Sequence, residues 1–400
     1  MIPQFNTKRR QFLKQSAVTT TALVGWSASQ PRLVKSKEVD RTISIKSPPA
    51  IRQLDVLFEK EAYTAFPHVI RLDGDELLMA FRQAPSQERV RHTHPRSVIT
   101  IIRSYDLGET WDIENAAQMA AGGGQEFAPI HLGKGVVGGL LAAHEVVPVR
   151  EGHRARIPQL HQHEYPFSNV GGFWCWSNNF GLTWPLHHNV LFAPRLQTCA
   201  SPVRLSSGAL LAPCYGNIDQ GLAGISSNFV YRSDDGGKSW SAPTVLAEGT
   251  EATRDFYEPC LLELAEGHLL AMHRVGRCQD GRDGLFWQNE SRDGGRSWTD
   301  PVETKITSGA CPRLLKLSDG RIVLTFGRRY EPYGLYAKMS CDGARSWDDT
   351  SWLLRAAPNG NQGYSSSVEI EPGRVLTACY AQNEQGVTGI TGTFWTVPPR

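Results

Sequence analysis

Tyr364, Glu258 and Arg274 combine residue types and spacing that suit one chemistry. Tyr364 stands nine residues before Gly373 and Glu258 nine before Gly267, while Arg274 follows Gly267 by seven. A phenol, with a pKa near 10, is a weak nucleophile at neutral pH, and a carboxylate beside it can take its proton as it attacks. A guanidinium offers a planar, two-pronged donor to a substrate carboxylate. The glycines belong to a repeated pattern of apolar strand, Gly turn, apolar strand, seen around Gly74, Gly208, Gly267, Gly320 and Gly373, with a looser copy at Val136–Leu141. If these hairpins repeat in space, positions equally far from their turns lie on one ring. Nine back from each glycine gives Ala65, Cys199, Glu258, Cys311 and Tyr364, with Pro129 or Ile130 from the looser copy. Glu258 and Arg274 are symmetric about position 266, which makes them expected cross-strand neighbours.

The elements that must position these residues come from a second repeat. A unit beginning with Ser and ending with Trp recurs at Ser104–Trp111, Ser177–Trp184, Ser233–Trp240, Ser291–Trp298 and Ser340–Trp347. Its Asp or Asn accepts local backbone hydrogen bonds, its glycine takes positive φ, and its tryptophan packs beneath the turn. Six Gly-turn hairpins, each followed by a second hairpin, give six four-stranded units. A repeated four-stranded antiparallel unit is the blade of a β-propeller. The expectation is an all-β, six-bladed β-propeller, blade one turning near Gly74 and blade six near Gly373, with one blade lacking its Ser…Trp turn.

The Ser-x-Asp-x-Gly-x-Thr-Trp turn resembles the Asp box, or BNR repeat, of the sialidase (neuraminidase) superfamily, and the repeats run from about residue 55 to 397. The segment from Tyr257 to Gly267, ending at His273-Arg274, resembles the hairpin on which that family carries a Glu and an Arg. Gly363-Tyr364-Ser365 resembles the segment of its nucleophilic tyrosine. The resemblance implies Tyr364 as nucleophile, Glu258 as its base and Arg274 as a carboxylate clamp, an exception to the two-carboxylate rule of glycosidases. The sequence also departs from the family. Ala65 stands where the first carboxylate-binding arginine is expected, and Arg91–Arg96 lacks the acid/base aspartate. Arg328 and Arg329 lie near the place of the third arginine, Arg82 and Arg313 are further substrate-binding candidates, and His92 or His94 could serve as general acid.

The implied activity is that of a sialidase-like glycoside hydrolase acting on an acidic terminal sugar, its partner being a glycan or oligosaccharide. A uronate lyase or hydrolase on the same scaffold, or a non-catalytic glycan-binding propeller, are the alternative readings. No cofactor and no metal is expected. The His92/His94 and His161/His163 pairs share the i, i+2 spacing of a strand face, but surface histidines are the commoner case. The cysteines, eight in number from Cys175 to Cys379, form no C-x-x-C pair, so they read as buried free thiols rather than a zinc site. Gly122–Gly124 lacks the spacing of a nucleotide loop.

The 400 residues carry 42 basic and 40 acidic side chains, which argues against nucleic-acid binding by bulk charge, and no apolar run is long enough to span a bilayer. Residues 1–29 read as a twin-arginine-type signal: Arg9-Arg10 is followed by Phe12-Leu13-Lys14, a short apolar stretch and Ser27-Ala28-Ser29. Residues 30–50 read as a polar linker and 51–400 as one propeller domain, periplasmic or secreted. Arg150–Phe167, rich in His, Arg and Pro, reads as a long loop at the propeller mouth that sets specificity.

Overall fold

A computed structural model of the chain describes residues 42–86, 93–119, 123–146, 167–222, 224–250, 255–276 and 284–399. It contains six antiparallel blades. Strands β1 (Ser44–Lys46) and β2 (Ile51–Leu57) precede the first blade. Blade one is β3 (Ala62–Arg71), β4 (Leu77–Pro85), β5 (Val98–Ser104) and β6 (Asp112–Met119). Blade two is β7 (Gly124–Gly133), β8 (Val136–Val146), β9 (Phe167–Ser177) and β10 (Asn189–Pro194). Blade three is β11 (Val203–Arg204), β12 (Leu210–Gly216), β13 (Ser227–Ser233) and β14 (Thr244–Ala247). Blade four is β15 (Asp255–Ala265), β16 (His268–Gly276), β17 (Leu285–Ser291) and β18 (Val302–Thr307). Blade five is β19 (Arg313–Lys316), β20 (Ile322–Arg328), β21 (Gly334–Ser340) and β22 (Thr350–Ala356). Blade six is β23 (Gly363–Glu371), β24 (Arg374–Gln382) and β25 (Thr388–Thr396).

The outer strand of blade six is β2, paired antiparallel to β25 from Ile51↔Trp395 to Leu57↔Ile390. The ring is thus closed by the beginning of the propeller segment. This explains the count of five Ser…Trp turns for six blades. Each such turn joins a blade's third strand to its fourth, and in blade six that covalent connection does not exist. Closure also draws in part of the segment expected as a linker: β1 pairs parallel with β22 and adds a fifth strand to blade five.

Blade faces pack on one another, which is why central strands are apolar on both sides. β20 is buried along its whole length. Phe66, Leu77, Phe81 and Phe394 join blades one and six. Trp174, Phe192, Leu210 and Tyr231 join blades two and three. In blades one, two and four the Asp-box turn touches the hairpin turn: the Leu107 N–H donates to the Asp75 carbonyl at 3.1 Å, the Phe180 N–H to the Gly135 carbonyl at 2.7 Å and the Gly294 N–H to the Gly267 carbonyl at 2.9 Å. Both repeats therefore mark one end of the propeller.

Within each box the serine hydroxyl organises the turn. Ser233 Oγ donates to Asp235 Oδ1 at 2.8 Å and accepts the buried Gly237 N–H at 2.8 Å, while Asp235 accepts the Ser239 N–H and hydroxyl. These hydrogen bonds, Ser239 foremost, hold the Asp235 carboxyl well below the usual carboxylate range. Ser233→Ala leaves the Gly237 donor unsatisfied and should cost about 1–3 kcal/mol. The measurement is the urea midpoint at unchanged slope; an unshifted midpoint would show the serine to be dispensable.

Candidate active site

In all six blades the turn glycine between the first two strands has positive φ: Gly74, Gly135, Gly208, Gly267, Gly320 and Gly373. Nine residues before five of them stand Glu126, Cys199, Glu258, Cys311 and Tyr364. In blade one Asp75 holds the place that Gly267 holds in blade four, each carbonyl accepting an N–H from the neighbouring Asp-box turn, so the ring residue there is Phe66, with φ of 60°, and not Ala65. The blade-two member is Glu126, not Pro129 or Ile130, because the turn glycine is Gly135 and not Gly138 or Gly139. Small side chains occupy blades three and five and an aromatic ring blade one; titratable oxygens occupy blades two, four and six.

Bulges aim the ring residues. Tyr257 pairs with Arg274 and Cys260 with Met272, so β15 carries one residue more than β16 over this interval. β23 does the same between Gly363 and Ser366, and β3 between Ala65 and His68. Glu258 and Tyr364 sit on these bulges with φ of 49° and 48°. The left-handed region costs a non-glycine residue about 1–2 kcal/mol, and bulges beside functional sites serve to re-aim a side chain. The bulge also shifts the expected cross-strand partner: the residue opposite Arg274 is Tyr257, and Glu258 reaches Arg274 from one position along.

The side chains nevertheless meet. Tyr364 Oη donates to Glu258 Oε1 at 2.5 Å, and Arg274 Nη1 to Glu258 Oε2 at 2.7 Å. The Cys311 thiol donates to the same Oε2 at 2.7 Å. Burial pushes the Glu258 carboxyl up, but the Arg274 charge and the three donors outweigh it and hold the group at about 2. Burial, the neighbouring Cys311 and the Glu258 charge push the Tyr364 phenol well above its ordinary value. The resting pair is therefore carboxylate and neutral phenol. Phe66 packs on Tyr364 at 4.8 Å between ring centroids. Arg329 lies over the other part of that ring, 5.5 Å from its centroid, and donates from Nη2 to Tyr380 Oη at 2.8 Å.

Of the expected arginines, Arg274 and Arg329 flank Tyr364, and Arg274 keeps 24% of its side chain exposed. Arg313 is placed elsewhere in the ring. It is buried, bridging the Cys199 carbonyl and Glu126 Oε1, the latter at 3.3 Å. Arg82 and Arg328 offer no surface to a substrate. Both are fully buried, Arg82 donating to Ser97 Oγ at 2.9 Å and Arg328 to Thr307 Oγ1 at 2.5 Å and the Glu331 carbonyl at 3.0 Å. Alternation along the strand accounts for Arg328, which lies eight residues after its turn glycine, whereas Arg274 lies seven and Arg329 nine after theirs. Arg82 pairs with Ala65 as Arg274 pairs with Tyr257, so it holds the register position of Arg274 in blade one and is withdrawn by its burial and its bond to Ser97. His94 is buried and its Nδ1 accepts the Arg96 N–H at 3.0 Å; His92, His161, His163 and residues 150–166 lie outside the described residues.

A second cluster adjoins the first. His68 Nε2 lies 2.6 Å from Glu126 Oε1, the atom that also faces Arg313. His68 and Glu126 are 1% and 3% exposed. The ring count from Gly135 would have revealed Glu126, and seven forward from Gly373 gives Tyr380. The seven described cysteines are unpaired, and six are buried. The donor atoms of Cys199, Glu258 and Cys311 lie within 4.8 Å of one another, a set that could hold a thiophilic cation. As built, the carboxylate oxygens there are spent on Tyr364, Arg274 and Cys311, and burial keeps both thiols protonated.

The BNR repeat-like domain profile matches residues 160–376, more than half of the chain. The chain belongs to that family. Its propeller is of the sialidase-like superfamily and lacks, at Ala65, one residue of the sialidase pattern. Among solved structures it is similar to a Dyadobacter fermentans protein of unknown function, at 21% identity and a TM-score of 0.74, covering 88% of this chain and 100% of that one. A Trypanosoma rangeli sialidase in complex with sialic acid superposes at a TM-score of 0.56 and 15% identity, over 88% of this chain. The alignment spans 59% of that enzyme. A Fusarium graminearum α-L-arabinofuranosidase matches at 0.59 and 12%, over 88% of this chain and 97% of its own. At these identities the likeness establishes the fold. No curated protein matches the sequence. Among the described residues no helix is long and apolar enough to cross a membrane.

Proposed function

We propose that the protein is a glycoside hydrolase that removes a terminal acidic sugar from a glycan, with Tyr364 as nucleophile. The observation that carries this reading is the 2.5 Å contact from Tyr364 Oη to Glu258 Oε1 between two arginines. The phenol stays neutral until it attacks the anomeric carbon, and its proton then passes to Glu258. A neutral nucleophile avoids the repulsion that a carboxylate would meet from an anionic substrate. Arg274 and Arg329 supply cationic donors for the substrate carboxylate. Ala65 removes one clamp of the sialidase pattern, so the site reads as re-specialised toward an acidic sugar other than the sialidase substrate. The test is release of free sugar by the mature protein from a panel of sialosides, uronosides and arabinofuranosides. Release of an acidic sugar other than sialic acid supports the reading; release of sialic acid overturns the re-specialisation, release of arabinose alone overturns the acidic-sugar reading, and binding without release from any member overturns the hydrolase in favour of a glycan-binding propeller.

We also propose export through the twin-arginine route, supported by Arg9-Arg10-Gln11-Phe12-Leu13-Lys14. Replacing Arg9 and Arg10 with lysines should abolish recovery of the protein outside the cytoplasm on cell fractionation. Undiminished export would assign residues 1–29 another role.

A further inference from the structure

The hydrolase reading lacks a proton donor, since the segment expected to hold the family's aspartate contains none. Without one, the leaving oxygen must depart as an alkoxide. The ring provides a second carboxyl. Glu126 in blade two and Tyr364 in blade six stand on either side of blade one, whose ring residue, Phe66, packs on Tyr364. Glu126 is also close enough to Glu258 to feel its charge.

We propose that Glu126 is the proton donor of this site, delivering its proton from Oε2 to the glycosidic oxygen as Tyr364 attacks. The inference rests on the hydrolase reading and completes its chemistry. Hydrogen bonding places the proton. His68 Nδ1 has no hydrogen-bond partner among the described residues, so the ring proton belongs on Nε2. That N–H donates to Glu126 Oε1 at 2.6 Å, and Arg313 Nη2 approaches the same oxygen at 3.3 Å. With two donors on Oε1, the carboxylic proton sits on Oε2. Among the described residues both hydrogen bonds of the Glu126 carboxyl run to Oε1, and the side chain keeps 4% of its surface exposed.

The environment keeps the group neutral. Around it stand His68, Arg313, Glu258 and the thiols of Cys199 and Cys311. Burial pushes the Glu126 carboxyl well up and the Glu258 charge adds to this, against the pull of Arg313. Glu258 is held at about 2. Two neighbouring carboxyls with acidities driven apart are the arrangement that separates acid from base.

The steps balance. In the first, the glycosidic C–O bond breaks and its oxygen takes the Glu126 proton, while Tyr364 Oη bonds to the anomeric carbon and its proton passes to Glu258. In the second, Glu126, now a carboxylate, takes a proton from water. The water oxygen bonds to the anomeric carbon, and Tyr364 leaves and recovers its proton from Glu258. The net change is hydrolysis of one glycosidic bond. His68 is a positioning residue that holds Oε1.

The test compares wild type with Glu126→Gln on two glycosides of whichever sugar the wild type releases, one with a methyl and one with a dinitrophenyl leaving group. The dinitrophenolate needs no proton to depart. Turnover of the methyl glycoside should fall by about 10²–10⁴-fold, and that of the dinitrophenyl glycoside by less than about tenfold in its glycosylation step. Loss of both to the same extent would indicate a structural role, and no loss of either would also overturn the assignment. Infrared difference spectra of the two proteins at pH 7 supply a readout independent of turnover: a protonated carboxyl band lost in Glu126→Gln supports the donor, and a carboxylate band lost instead refutes it. A wild type that cleaves nothing refutes the hydrolase reading and the donor role together. A wild type that cleaves, with a variant that matches it, refutes the donor alone.

Discussion

Tyr364→Phe should lower turnover by about 10³-fold or more, with the fold unchanged. Removing a nucleophile that acts with its base as one unit costs most of the chemical acceleration, whichever member is removed. The substitution deletes only the oxygen that donates to Glu258 Oε1. The ring stays between Phe66 and Arg329, so binding of the acidic sugar should survive. The check is a kcat and KM pair on the released sugar, with a dissociation constant for the product. Full activity in the variant would remove the phenol from the chemistry.

Glu258→Gln should reduce turnover by about 10²–10⁴-fold, the range for a lost general base. It should also destabilise the protein, for a reason separate from catalysis. Glu258 is the carboxylate that neutralises Arg274, and breaking a buried pair by deleting one partner costs about 3–5 kcal/mol. Arg274 keeps 24% of its side chain exposed, so the lower end of that range applies. The sign of the pH effect follows from the depressed acidity. The folded carboxyl lies at about 2, below an unfolded value near 4.3, so its stabilisation is complete above the unfolded pKa and is lost as pH falls toward 2. The wild type should therefore lose stability more steeply than Glu258→Gln between about pH 4.3 and 2, measured as the urea midpoint at each pH. Parallel pH curves would show that Glu258 is not held ionised.

Counting along repeats placed Tyr364 and Glu258 on one ring because their hairpins have equal lengths from ring to turn glycine. Six blades were legible for the same reason. In blade one the glycine stands one place earlier in the turn, so the same count fell on Ala65 instead of Phe66. The missing sixth Asp box was countable but not explicable, since β2 pairs with β25 across nearly the whole sequence. Glu126 was overlooked because blade two offers three candidate turn glycines, and only Gly135 combines positive φ with the hairpin turn. The bulges at Glu258 and Tyr364 left no mark in composition, since neither position is a glycine. Arg328 had the right residue type and nearly the right distance; one step of strand alternation turned it to the other face. Arg82 holds the register position of Arg274 and is lost to burial, which residue type does not show. Arg329 and Tyr380 were findable by the parity that excludes Arg328. What lay beyond reach was acidity, because the contrast between Glu126 and Glu258 depends on which charges burial leaves beside each.

The central claim is that Tyr364 forms the bond to sugar. Mass spectrometry of acid-quenched protein, mixed briefly with a dinitrophenyl glycoside of the released sugar and then digested, tests it most directly. The account predicts one sugar added to the peptide containing Tyr364 and none in Tyr364→Phe. A sugar found on the Glu258 or Glu126 peptide, with turnover intact in Tyr364→Phe, would contradict it and make a carboxylate the nucleophile.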